Sequence, residues 1–125
     1  MAKNKKATGS TQNELVQCDL EFPPLQIELK NLEPLQLDQF FNCIEKIKKM
    51  TWAQIYATSS KGAGKRGINW GVIAHQKTAS DGVVASIRIS EKFRVRVTRD
   101  GVFMRFISVH PDHDSAYSGH GGEDI

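Results

Sequence analysis

An α+β domain, with N-terminal helices packed on an antiparallel β-meander, is the fold class this sequence predicts, and three observations predict it. Residues 83–90, 92–98 and 102–109 are three β-rich runs divided by short polar breaks. Residues 35–49 instead carry Leu37, Phe40, Phe41, Ile44 and Ile47 at spacings of three and four, the period of an amphipathic helix. The chain has 125 residues, 39% hydrophobic and 25% charged, which suits one domain with a modest core and leaves no room for a second.

Taken in order, residues 1–12 are Lys, Asn, Ser, Thr and Gly with little to bury, and read as a flexible basic tail. The single domain is expected over 13–117, with a second flexible tail over 118–125. Residues 16–22 suggest a short strand halted by Pro23 and Pro24. Residues 25–29 alternate apolar with polar and suggest another extended piece. After the helix at 35–49, Thr51 is placed to cap a further helical segment, 52–58, whose Trp52, Ile55 and Tyr56 suit a core better than a stacking platform.

Residues 59–67, SSKGAGKRG, form a glycine-rich basic loop. They do not make a P-loop, because Ser59 stands at the first glycine position and Arg66 follows Lys65 where Ser or Thr is required. Lys61, Lys65 and Arg66 can still reach a phosphate from such a loop; an ordinary surface loop is the plain alternative.

The meander carries the strongest pattern. Asp100-Gly101 is the clearest hairpin signal in the chain. A turn on those two residues pairs Arg99 with Val102, Val97 with Met104, Arg96 with Arg105, Val95 with Phe106 and Arg94 with Ile107. A three-residue loop at 90–92 pairs Ile89 with Phe93, Arg88 with Arg94, Ile87 with Val95, Ser86 with Arg96 and Ala85 with Val97. One face is then apolar and suited to receive the helix at 35–49. The other gathers Arg88, Arg94, Arg96 and Arg105 with no carboxylate among them. Like charges across a sheet repel, so an anionic ligand is the economical compensation, because guanidinium binds phosphate in two-pronged fashion. A solvated charged face, or pairing with acids such as Glu28 and Glu33, is the plain alternative.

Charge is polarised along the chain. Residues 83–109 hold six basic residues against two acids, and residues 11–50 hold seven acids against four lysines. Cys18 and Cys43 sit among apolar residues without CxxC spacing and read as buried free thiols. With no secretory h-region and no membrane-length apolar run, a cytoplasmic location without membrane contact is expected.

After the third strand comes HPDHDSAY, residues 110–117, dense in titratable groups at a strand end. Here His110 and His113 are candidates for proton transfer, as is Tyr117 in a cationic setting. A polar turn with Tyr117 packed on the sheet is the structural alternative. A metal site from His110, Asp112, His113 or His120 is a further alternative, but the spacing matches no helical His-x-x-x-His or zinc-ribbon pattern.

The string IRISEKFRVRV at 87–97, the strand MRFISV at 104–109, and His113 four residues before Tyr117 resemble the C-terminal half of RelE/ParE-superfamily toxins, the small toxic partners of bacterial toxin–antitoxin pairs. The likeness spans roughly residues 68–117. It implies a small RelE-like fold and a metal-independent, cofactor-free, ribosome-dependent mRNA endonuclease, in which a ribose 2′-hydroxyl attacks the adjacent phosphodiester. It also implies Arg94, His113 and Tyr117 as catalytic residues, and Lys61, Lys65 and Arg66 as the phosphate-contacting loop; Arg88, Arg96 and Arg105 of the arginine face, with His110 at its end, are then expected to hold the substrate. The implied partners are a cognate antitoxin protein, messenger RNA and the ribosome. Two readings from other classes stand beside it: a non-catalytic ParE-like toxin that inhibits DNA gyrase, and a non-toxic nucleic-acid-binding module.

Overall fold

The computed structural model describes residues 10–58, 68–79 and 81–112. Among them are a 3-10 turn, Ser10–Asn13, three helices and a five-stranded mixed sheet, an α+β arrangement. The elements run β1 (Gln17–Asp19), α1 (Pro23–Lys30), α2 (Pro34–Ile47), α3 (Trp52–Tyr56), β2 (Gly71–Lys77), β3 (Val83–Arg88), β4 (Arg94–Asp100) and β5 (Phe103–His110). The sheet order is β1-β5-β4-β3-β2. No helix among the described residues is long and apolar enough to cross a membrane.

Local chemistry sets the helix starts. Pro34 opens α2 behind Glu33, which forms a reciprocal capping box with Gln36. Thr51 and Gln54 do the same for α3. On α2 the buried positions are Phe40, Cys43, Ile44 and Ile47. Phe41, expected in the apolar stripe, is exposed instead. The expected extended piece at 25–29 is corrected to a helix: Pro23 and Pro24 occupy its first turn, where a missing N–H costs nothing, and Leu25, Leu29 and Leu32 face the core at helical spacing. Ile27, which completed the alternation, is exposed.

The helices cover the inner face of the sheet. Ala85, Ile87, Phe93, Val95, Val97, Met104, Phe106 and Val109 form one core with Leu25, Phe40, Ile44, Ile47, Trp52 and Ile55. Phe40 of α2 meets Phe106 of β5 edge-to-face at 5.8 Å. Trp52 meets Trp70 the same way at 5.5 Å, tying α3 to the entry of β2.

The β3–β4 register is the expected one, from Arg88↔Arg94 to Ala85↔Val97. The β4–β5 register is not. The turn residues are Gly101 and Val102, so Asp100 pairs with Phe103, Arg99 with Met104, Thr98 with Arg105 and Val97 with Phe106. Gly101 takes φ +63 at the first turn position, and Val102 needs no positive φ. Opposite the Arg96–Val97 step, a bulge that leaves Ile107 of β5 without a partner in the ladder shifts it once more, giving Arg96↔Ser108, Val95↔Val109 and Arg94↔His110. The first shift, of two residues, preserves which side chains face inward. Arg99, in phase with Val95 and Val97, lies on the helix side, where its guanidinium is 4.4 Å from the Trp52 ring centre and donates to Tyr56 Oη, Thr11 Oγ1 and the Gly101 carbonyl.

Beyond the meander, β1 lies parallel to β5, with Gln17↔Phe103, Cys18↔Met104 and Asp19↔Arg105. Further along β5, Glu28 of α1 accepts a hydrogen bond from the Val109 N–H at 2.8 Å, closing the edge past the reach of β1. Burial raises the thiol pKa of Cys18 to about 12 and of Cys43 to about 11, so both are protonated at neutral pH.

Truncating the Phe106 ring, which is 1% exposed, is expected to cost about 3–5 kcal/mol in Phe106→Ala. Ile27→Ala, on the exposed side of α1, should stay within about 0.5 kcal/mol. Urea titration of both variants beside the unmodified protein checks the pair.

Candidate functional site

Alternation on β3, β4 and β5 sends alternate side chains to the face away from the helices. The observed register arranges them in cross-strand rows. One row is Arg88, Arg94 and His110. The next is Ser86, Arg96 and Ser108, continued on β2 by Gly71. A third is Val84, Thr98 and Arg105, flanked by Ile73 of β2 and Asp19 of β1.

The arginines differ in what they hold. Arg94 is 9% exposed, and its Nη1 donates to the Ser90 and Glu91 carbonyls at 2.9 and 3.0 Å, so it fastens the β3–β4 turn. Arg105, expected opposite Arg96 with no acid nearby, faces Thr98 and is paired with two carboxylates. Its Nε lies 3.5 Å from Asp19 Oδ2 and its Nη2 lies 3.1 Å from Asp100 Oδ2. Parallel placement of β1 beside β5 brings Asp19 there. Arg88 and Arg96 remain in the rows as half-buried cations, and burial pulls Arg96 below the ordinary arginine pKa.

His110 ends β5 with Nε2 2.8 Å from Ser108 Oγ. Burial, reinforced by the nearby Arg96 charge, lowers its pKa from 6.5 to about 4. At neutral pH it is therefore an uncharged hydrogen-bonding group among guanidinium groups. The structure thus brings together Arg88, Arg94, Arg96 and His110 and sets Arg105 apart on an acidic border. Lys61, Lys65, Arg66, His113 and Tyr117 lie outside the described residues.

Alongside the rows the face forms a concavity of about 900 Å³. Val84, Arg96, Thr98, Ile107 and Ser108 line it, the β1–α1 link supplies Glu21 and Phe22, and the end of β2 supplies Lys77. Sequence reasoning missed Ser108, because the expected register put Ile107 opposite Arg94. It also missed Glu21 and Phe22, which reach the face only through the parallel pairing of β1, a long-range contact without a local signature. The strand β2 was missed too, although Val72-Ile73 gave a short β-branched signal.

No protein-family model, curated protein or solved structure matches this chain.

The His110 shift has a direct pH consequence. Above about 6.5 the imidazole is neutral in both folded and unfolded chains, and no penalty exists. As pH falls from 6.5 towards 4 the unfolded chain takes up a proton that the folded one resists, so stability is lost across that window. His110→Gln should flatten this part of the profile. Urea midpoints at pH 7, 5.5 and 4, compared between the two proteins, measure it.

Proposed function

We propose that this chain is the toxin of a bacterial toxin–antitoxin pair, of RelE-like build, acting as a metal-independent endonuclease on messenger RNA at the ribosome. The reading rests on one observation. The rows Arg88–Arg94–His110 and Ser86–Arg96–Ser108 set guanidinium, imidazole and hydroxyl groups side by side on the solvent face of the sheet. They do so at the end of β5, from which the chain continues within a few residues to His113 and Tyr117.

RNA cleavage without a metal needs three things: a cation to hold the phosphodiester and take up charge as the 2′-hydroxyl attacks, a base to accept that hydroxyl's proton, and an acid to protonate the departing 5′-oxygen. Arg88 and Arg96 supply the first in this proposal. Arg94, with Nη1 engaged by the Ser90 and Glu91 carbonyls, fastens the turn beside them. His110, neutral at pH 7, contributes a hydrogen bond, and proton transfer falls to His113 and Tyr117. The phosphate contacts make binding fall with salt. Lys61, Lys65 and Arg66 serve the flanking phosphates, and a cognate antitoxin is the partner that silences the site.

The same occupancy of Arg94 supports a second reading, a non-catalytic ParE-like toxin that inhibits DNA gyrase, since a protein contact needs no free guanidinium at a reacting phosphate. Expression in bacteria separates the two. The native chain should arrest growth and cleave messenger RNA, whereas Arg96→Ala, His113→Ala and Tyr117→Phe should each lower cleavage by about a hundredfold or more. Growth arrest with intact messenger RNA would transfer support to the gyrase reading, and unimpaired growth would refute both.

A further inference from the structure

The outer face has two zones of different chemistry. Arg88, Arg94 and Arg96 gather beside His110 in one zone. Towards the β1–α1 link, Arg105 is neutralised by Asp19 and Asp100. Glu21 and Phe22, two and three residues beyond Asp19, line the same concavity. Glu21 makes no ion pair among the described residues; its own N–H is held by Asp19 Oδ1 at 3.0 Å, which fixes the backbone beside the ring. Phe22 is 47% exposed at the cap of α1, and the backbone there is extended. Val84 and Ile107 give the adjoining floor an apolar stretch.

A surface meant only for phosphates gains nothing from a carboxylate and an exposed aromatic ring. Single-stranded RNA, however, offers more than phosphates: its unstacked bases lie on aromatic rings and are read by hydrogen bonds to their edges. Resting on the RNA reading above, we propose that Glu21 and Phe22 form a nucleobase subsite that selects guanine. The Phe22 ring stacks on the base. The two Glu21 carboxylate oxygens accept from N1–H and N2–H of its Watson–Crick edge.

Guanine alone presents two adjacent donors there, matching the two acceptors of a carboxylate. Adenine and cytosine set one amino donor beside a ring-nitrogen acceptor, which repels the second oxygen. Uracil sets one imino donor between two carbonyls. The sugar–phosphate chain of the bound nucleotide then runs across the sheet towards Arg96, so the cationic rows supply affinity and the β1–α1 link supplies discrimination.

The test uses short 2′-O-methyl oligouridylates, which cannot undergo 2′-hydroxyl attack, carrying one central guanine, adenine, cytosine or uracil. Binding to the full chain is followed by fluorescence anisotropy. The guanine oligomer is expected to bind about tenfold more tightly than the all-uracil one. Glu21→Gln should abolish that ratio, so that the guanine and all-uracil oligomers bind equally. Phe22→Ala should weaken all of the oligomers by about tenfold without altering the salt slope, which Arg96→Ala reduces. Both subsite residues are exposed, and circular dichroism of the variants confirms that they fold. Equal binding of the four oligomers, or a guanine preference that survives Glu21→Gln, would overturn the subsite and leave the RNA reading standing. Failure to bind any oligomer at low salt would overturn both.

Discussion

Strict alternation on β4, the middle strand of the sheet, is the constraint on which everything else rests. Val95 and Val97 are fully buried beneath the helices, and in alternation with them the chain must send Arg94, Arg96 and Thr98 to the other side. A slip of one residue would drive guanidinium groups into the core and valines into water, so the inner packing and the outer cationic rows enforce a single register. The apolar face supplies the folding free energy and, in doing so, fixes the spacing of the arginines. Repulsion between Arg88 and Arg94, directly opposite on adjacent strands, is the cost of that arrangement; the turn carbonyls that accept from Arg94 offset part of it.

The elements around the meander complete the face. The parallel pairing of β1 with β5 carries Asp19 to Arg105 and delivers Glu21 and Phe22 to the rim of the concavity. Glu28 closes the remaining β5 edge just before His110, so the end of the strand that leads into residues 110–117 is anchored from α1. On the helix side, Arg99 links the 3-10 turn, α3 and the β4–β5 turn through Thr11, Tyr56 and Gly101. The Val102 carbonyl in that turn accepts from both Trp52 Nε1 and the Gln17 N–H. The β4–β5 hairpin is thus held from beneath the sheet, while on the outer side Arg105 ties it to Asp100 and Asp19.

What was legible in the sequence was whatever depended on local periodicity. The α2 stripe, apart from the exposed Phe41, the Thr51 cap and the β3–β4 register all follow from spacings of a few residues, and each is found. The α1 helix was misread because Leu25, Ile27 and Leu29 alternate like a strand, and only tertiary packing decides that Leu25, Leu29 and Leu32 turn inward. The β4–β5 register was misread because Asp100-Gly101 satisfies the turn rule one position early, and the bulge beside Arg96 has no sequence marker. The rows of the face were therefore half legible: Arg88, Arg94 and Arg96 were placed correctly relative to one another, whereas Ser108, Arg105 and His110 needed the fold.

The central claim is that an RNA partner meets the outer face of the sheet, away from the helices. Amide chemical shifts of the 15N-labelled protein, followed while a short single-stranded 2′-O-methyl RNA is titrated in, test it most directly. The account predicts that the amides of Ser86, Arg88, Arg96, Ser108 and His110 move together, with those of α2 unmoved. Shifts confined to α2 and the outer edge of β1, or none at all, would contradict it.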